Sequence, residues 1–339
     1  MKRMFVFWSV FVLGMVLLLS ACGEQSQEDV AESLQKSLEE MEGYKAEAEM
    51  SMKTGQEDQT FSIDVWHKQP DFYRVSLSNE AEHEESQIIL KNEDGVFVLT
   101  PALEKNFKFQ SDWPENSSQP YLYQSLVNDV VTDPEAEFES TDSHYIFRTK
   151  TNYQSNNNLP FQEIQFDKKS YTPVAVKVLD HDGNALVEVN FSSFDKEAAF
   201  EDDDFTMEKN MAGGAADEPT SGQAAEESPF TVVFPSYMAG AELTEQKEVE
   251  LENGKRVILS YTGDKNFTLI QEQLDVQSTL SSPEEVNGDI VNLGHSIGAI
   301  SENMIEWSSG GMDFILASDQ LTQEEMVQIA QSVENQEVK

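Results

Sequence analysis

The chain has 339 residues and carries 22 Lys+Arg against 63 Asp+Glu, a formal net charge of −41. That balance excludes nucleic acid and anionic lipid surfaces as electrostatic partners, while a hydrophobic fraction of 39% is too apolar for a disordered acidic polymer. One cysteine excludes an intrachain disulfide or a Cys-based zinc site, and the five histidines form neither an HExxH nor a close ligand pair, so neither metal nor cofactor is expected.

At the N-terminus Lys2 and Arg3 precede an uncharged apolar run, Met4 to Leu19. About 16 residues is short for a spanning helix, and small residues follow, so residues 1–21 read as a signal peptide. The only cysteine directly follows Leu19-Ser20-Ala21. This segment resembles the bacterial lipobox, which implies that the Cys22 thiol receives diacylglycerol, with palmitate-type acyl chains, and becomes the mature N-terminus. Losing residues 1–21 removes Lys2 and Arg3 and takes the side-chain charge from −41 to −43. The acyl chains must then supply the attachment. The expected location is the cell membrane, lipid-anchored on the extracytoplasmic face.

Ser26 and Asp29 have capping-box spacing, and Val30, Leu34, Leu38 and Met41 fall on one face, which predicts a helix over 27–42 ended by Gly43. The period then changes to two. Tyr44, Ala46, Ala48, Met50 and Met52 alternate with polar residues, as do Phe61, Ile63 and Val65 after a turn at 54–58. Further strands are predicted at 72–78, 87–91, 95–100, 106–110, 144–149, 161–167, 173–180 and 185–193, and a second helix over 119–131. This is a mainly β, α+β pattern: an unclosed antiparallel β-barrel with a helical lid over residues 22–207. Residues 208–228, rich in Gly, Ala, Ser and Glu, read as a flexible linker. A small α+β domain, 229–339, follows, with strands at 229–234, 246–251, 255–262, 266–272, 289–293, 296–300, 303–307 and 312–316. Its closing helix is announced by the Thr322–Glu325 capping box.

Gly294-His295-Ser296-Ile297-Gly298 is a literal G-x-S-x-G, but no histidine follows it to complete a hydrolase order, and a unit of this size is small for that fold. It reads as a Gly-flanked turn, with no catalytic residue. Asp180-x-Asp182-x-Asn184 opens like a calcium loop, but Ala185 and Phe191 stand where Gly and Glu are needed, so it reads as a hairpin turn. Glu201-Asp-Asp-Asp204 reads as a solvated loop. What remains is the apolar inner face. Tyr44, Ala46, Ala48, Met50, Met52, Phe61, Ile63 and Val65, with Leu122 and Leu126 of the second helix, are the candidate apolar-ligand cavity, the small flexible 44–52 face suiting adaptable contact. The alternative is a packed core. A cavity should accept Ala48→Phe with little change in melting temperature; a packed interior should not.

Asp64-Val-Trp-His-Lys-Gln-Pro-Asp-Phe-Tyr-Arg74 resembles the W-x-K-x-P-x-x-F signature of the LolA-type lipoprotein carrier family. Asp94-Gly95 to Pro101, Gln119 to Leu126 and Phe205-Thr-Met resemble that family's later segments, in the same order. The resemblance implies an unclosed barrel with helices as a lid over a cavity that receives acyl chains. Two departures matter: Gln69 stands where soluble carriers have a basic residue tied to lid control, and those carriers lack a lipidated cysteine. The whole layout looks like the carrier-like lipoproteins of spore-forming Firmicutes, of the sporulation and germination type. The function expected is therefore a non-enzymatic lipoprotein of envelope or spore maturation that binds acyl chains, a lipoprotein or other apolar groups. The alternative is an interaction protein, without lipid binding, that supports a cell-wall hydrolase. Cys22→Ala is expected to abolish membrane attachment; detergent partitioning reads it, and continued acylation of the variant would refute the lipobox reading.

Overall fold

A computed structural model describes residues 25–333 apart from 54–57, 80–86, 102–103, 116, 153–158, 213–229, 252–253, 275–282, 287, 294–295 and 310–311. The signal segment, Cys22 and most of the expected linker lie outside these residues. Among the described residues no helix is long and apolar enough to cross a membrane.

The protein is mostly β with few helices. Helix α1 (Gln27–Glu39) starts on the expected capping box, Asp29 N–H bonding Ser26 Oγ at 3.2 Å and Ser26 N–H bonding Asp29 Oδ2 at 3.1 Å. It ends before the expected 42, because residues 40–42 turn the chain into β1 (Gly43–Lys53). A first meander follows: β2 (Asp58–Lys68), β3 (Phe72–Asn79), β4 (Gln87–Asn92), β5 (Gly95–Thr100) and β6 (Lys105–Phe109). Helix α2 (Tyr123–Thr132) leads into a second: β7 (Glu137–Ser140), β8 (His144–Lys150), β9 (Phe161–Asp167), β10 (Pro173–Leu179) and β11 (Ala185–Asp195). Pairing of β11 with β1 joins the two meanders. Helix α2 starts later than predicted, since Leu122 is extended and Gln119 N–H is held by Ser125 Oγ at 2.7 Å. Strand β7 was not predicted: its four residues, Glu-Phe-Glu-Ser, are too short to show a period.

The second unit holds β12 (Ala241–Leu251), β13 (Gly254–Gly263), β14 (Phe267–Leu274), β16 (Asp289–Asn292), β17 (Ile297–Ile300), β18 (Met304–Ser309) and β19 (Met312–Ala317), a seven-stranded sheet of order β12-β13-β14-β19-β18-β17-β16, closed by helix α4 (Gln323–Gln331). Residues 230–234, expected as a strand, form none. Their backbone is satisfied by a buried side chain, Val233 N–H donating to Gln271 Oε1 at 3.0 Å and Val233 O accepting from Gln271 Nε2 at 2.5 Å. The first part of the expected linker is helical, α3 (Met207–Ala212). It helps cover the outer face of β4 and β5, where Ile88, Leu90, Phe97 and Leu99 pack with Phe205, Met207 and Met211.

A strand from beyond the linker, β15 (Glu284–Val286), adds in parallel to β6 and brings the first sheet to twelve strands. The order β15-β6-β5-β4-β3-β2-β1-β11-β10-β9-β8-β7 leaves both edges open. The units are further tied by Ile297 N–H to Gln87 Oε1 at 2.6 Å and by the Lys105–Asp313 ion pair at 2.6 Å, while Val286, Ile297 and Ala299 enter the core of the first sheet.

That core lies on one face of the twelve-stranded sheet, under both long helices. Strand β1 supplies Tyr44, Ala46, Ala48, Met50 and Met52 to it, as alternation requires. Helix α2 has no side-chain cap of its own, and the buried Tyr44 hydroxyl accepts the Tyr123 N–H at 3.2 Å. Tyr44→Phe would leave that buried N–H unpartnered, at a cost of about 1–3 kcal/mol. Denaturant unfolding should show the loss at an unchanged slope; an unchanged midpoint would mean the contact contributes nothing.

Candidate functional site

All ten candidate cavity residues meet in one buried cluster. Tyr44, Ala46, Ala48, Met50 and Met52 come from β1, Phe61, Ile63 and Val65 from β2, and Leu122 and Leu126 from the entry and first turn of α2. They pack with Tyr73, Trp113, Tyr123, Phe147 and Phe166, and none of the ten is more than 9% exposed. The aromatic rings account for the filling. Tyr44 stacks on Phe194 at 4.8 Å and meets Tyr123 edge-on at 6.3 Å, and His67 stacks on Tyr73 at 4.4 Å.

An open hollow of about 100 Å³ remains at the far end of β1. Met50 and Met52 line it, together with Tyr121, Leu159 and Val187 and, from the second unit, Ile290, Ile297 and Val327. The other eight candidates do not. Ile290, Ile297 and Val327 were missed because nothing in the sequence says how the two units meet. Ser117, Ser118, Gln119 and Asn292 supply a polar border. The space is smaller than the roughly 150 Å³ that accommodates benzene and well below the roughly 300 Å³ at which small-molecule pockets begin.

Beside it lies a polar hollow of about 60 Å³ lined by Ser118, Gln124, Ser125, Asn128, Asp129 and Asn152. Asp129 Oδ2 accepts from Gln162 Nε2 at 2.6 Å. Burial outweighs that bond and raises the Asp129 carboxyl from its ordinary 3.8 to about 6. Asp129 had no signal in the sequence, being one of 63 acidic residues.

The other sequence motifs are occupied structurally. Ser296 is buried and its Oγ donates to Ser308 O at 2.6 Å, between β16 and β17; Gly294 and His295 lie outside the described residues. Asp180 organises its own turn, accepting from Asp182 N–H at 2.9 Å and Asn184 N–H at 2.8 Å. Glu201, Asp203 and Asp204 converge closely enough to hold a cation, and the Lys209 ammonium takes that place, 2.8, 2.7 and 2.7 Å from their oxygens. In the resemblance segment, Trp66 donates to Asp64 Oδ1 at 2.9 Å and lies between the cations of Lys45 and Arg74, at 4.1 and 4.7 Å. Gln69, the departure from the carrier pattern, donates to Met41 O at 2.7 Å, just beyond α1.

The fold and these sites together define an open-sheet scaffold with a filled interior. The family described as "Sporulation protein YdcC-like" matches residues 1–205. Sporulation protein YdcC of Bacillus subtilis (strain 168) is 46% identical over 325 residues, spanning 96% of this chain and 95% of that protein. The chain belongs to the YdcC-like sporulation protein family. Among solved structures it is similar to the putative outer membrane lipoprotein-sorting protein domain from Vibrio parahaemolyticus (16% identity, TM-score 0.33, 55% of this chain and 99% of that one). It is also similar to a chain of the Pseudomonas aeruginosa MucA/MucB complex (13%, TM-score 0.32, 90% and 98%) and to one of the CwlD amidase–GerS lipoprotein complex from Clostridioides difficile (15%, TM-score 0.30, 53% and 98%).

The raised Asp129 gives a pH signature. The folded protein takes up this proton below about pH 6, whereas the unfolded chain does so only near 3.8. Keeping the ionised group in place therefore costs stability above pH 6, and the cost disappears as pH falls towards 4. Asp129→Asn should stabilise the protein at pH 7.5 by on the order of 1 kcal/mol after solvent screening, and by much less at pH 4.5. Thermal unfolding at the two pH values checks the sign; destabilisation at pH 7.5 would refute it.

Proposed function

We propose that this chain is a non-enzymatic sporulation lipoprotein, anchored through Cys22 outside the cytoplasmic membrane, that acts through contacts with a protein partner. Its twelve-stranded sheet is read as an unclosed barrel with α1 and α2 as the lid, since open sheets of more than about ten strands tend to curl. The observation that carries the reading is the filled interior. Among the described residues, the packing of Tyr44, Tyr73, Trp113, Tyr123, Phe147 and Phe166 fills the space an acyl chain would need unless side chains move. Membership of a sporulation family supports the process, and a cell-wall hydrolase is the partner class that fits it.

Acyl binding keeps one observation in its favour. The hollow has flexible Met50 and Met52 on its wall, and methionines can re-pack to admit the end of an apolar group. Two measurements separate the readings. The soluble protein lacking Cys22 is extracted with solvent for mass spectrometry and titrated with a fluorescent fatty acyl probe, and it is tested for binding to purified sporulation cell-wall hydrolases. Hydrolase binding without lipid or saturable probe binding supports the interaction reading; stoichiometric lipid or saturable probe binding overturns it. Ala48→Phe should then lower stability by about 1–3 kcal/mol through overpacking. An unchanged melting temperature would show hidden space beside Ala48 and favour the cavity.

A further inference from the structure

We infer that the protein stands on the bilayer with one end of its larger sheet against the lipid surface, the end that carries the β7–β8 and β9–β10 turns, and that the hollow points away. The inference rests on the reading of Cys22 as the lipid anchor and deepens it by naming the surface that meets the membrane.

The chain is fixed in place from Gln25 onward. The Tyr145 and Tyr171 hydroxyls both donate to Gln25 Oε1, at 2.5 and 2.9 Å. Two residues on, Gln27 Nε2 donates to Ala136 O at 3.0 Å, and α1 is capped from Ser26. Three peptide units separate Gln25 from Cys22, a span of at most about 11 Å. The diacylglycerol is therefore held close to the end of the sheet where Tyr145 opens β8 and Tyr171 closes the β9–β10 turn. A span this short keeps the acyl chains beside that end, which a longer leash would not.

The chemistry of that end suits a headgroup layer. Tyr145 is buried beneath this end, with Phe138 and Tyr171 half-buried on either side of it at 5.9 and 6.0 Å between centroids, while the Lys168 ammonium lies 5.1 Å over Tyr145 and Lys169 is exposed beside it. The part of this end that meets solvent is thus the edge of Tyr171 with Lys168 and Lys169, residue types that settle at a membrane interface. Glu139 and Asp142 share the edge, so charge alone does not hold it there and the acyl chains must.

The opposite end of the same strands carries the hollow. Strand β10 has seven residues, about 23 Å, between the turn at Lys168–Thr172 and the turn at Asp180–Asn184. Met52, Leu159 and Val187, which line the hollow, lie towards this far end. Gln87 and Lys105, at the far ends of β4 and β6, bind the second unit there, and β15 then follows β6 along its length to Phe109.

The test uses the mature, lipidated full-length protein in phosphatidylcholine vesicles containing a nitroxide lipid labelled near the headgroup. Acylation consumes Cys22, the one native cysteine, so Lys169→Cys and Asp182→Cys each offer a single thiol for a bimane label. Quenching at position 169 should exceed that at 182 several-fold, and a flexible Gly-Ser insertion between Gly23 and Glu24 should abolish the difference. Equal quenching, or stronger quenching at 182, in protein shown by mass spectrometry to be diacylated overturns the orientation while the anchor stands. A difference that survives the insertion overturns the short tether as its cause. Unacylated Cys22 overturns the anchor and the orientation together.

Discussion

The contact on which most else depends is that of Tyr44 with the start of α2. Tyr44 stands near the beginning of β1, the strand that joins the two meanders through β2 on one side and β11 on the other. Its ring stacks on Phe194 of β11 and tilts against His67 of β2 at 5.4 Å, so it packs across the seam between the meanders. Its hydroxyl accepts the first helical N–H of a helix that brings no cap of its own. One side chain thus ties together the seam, the interior and the lid. The aromatic set around it fills the near end of the fold. Along β1 the inner residues then shrink to Ala46 and Ala48 before lengthening to Met50 and Met52, and the hollow lies at the methionine end.

The same packing sets two opposed responses to acid. Burial against Tyr44 and Tyr73 lowers the pKa of His67, so the folded state favours the neutral ring and stability falls as pH drops through about 6.5 and the unfolded chain takes up the proton first. Asp129 works in the other direction between about pH 6 and 4, because its folded carboxyl binds the proton more readily than the unfolded one. The two partly offset each other below about pH 6. In a chain with 22 cations against 63 anions, the few basic groups are used with economy. Lys209 serves three carboxylates at once, and Lys105 serves the junction of the two units.

Much of the fold was legible because alternation identifies a strand's inner face without reference to anything distant. Tyr44 to Met52, and Phe61 to Val65, point into the core as their spacing requires, and both capping boxes, at Ser26 and Thr322, start the helices they announce. Short elements escaped for the same physical reason: β7 and β15 have four and three residues, too few to show a period. Whether the interior is hollow was not legible at all. Alternation says which way a side chain points, and says nothing of the volume left between opposing faces. Trp113 and Tyr73 fill that volume from a loop and a neighbouring strand, and no local pattern marks either as a space-filler.

The Gly/Ala/Ser composition of the expected linker gives no sign of how the two units meet: β15 completes the first sheet, and Val286, Ile297 and Ala299 are part of its core. Gln87, buried at the far end of β4, spends its carbonyl oxygen on the backbone of Ile297. The second unit is therefore built into the first, and the hollow at Met50 and Met52 exists only because Ile290, Ile297 and Val327 wall its other side. The matched family ends at residue 205, but the relative from Bacillus subtilis aligns over 96% of the chain. Within the structure, substitutions at Ile297 or Gln87 would be felt in the first sheet as much as in the second.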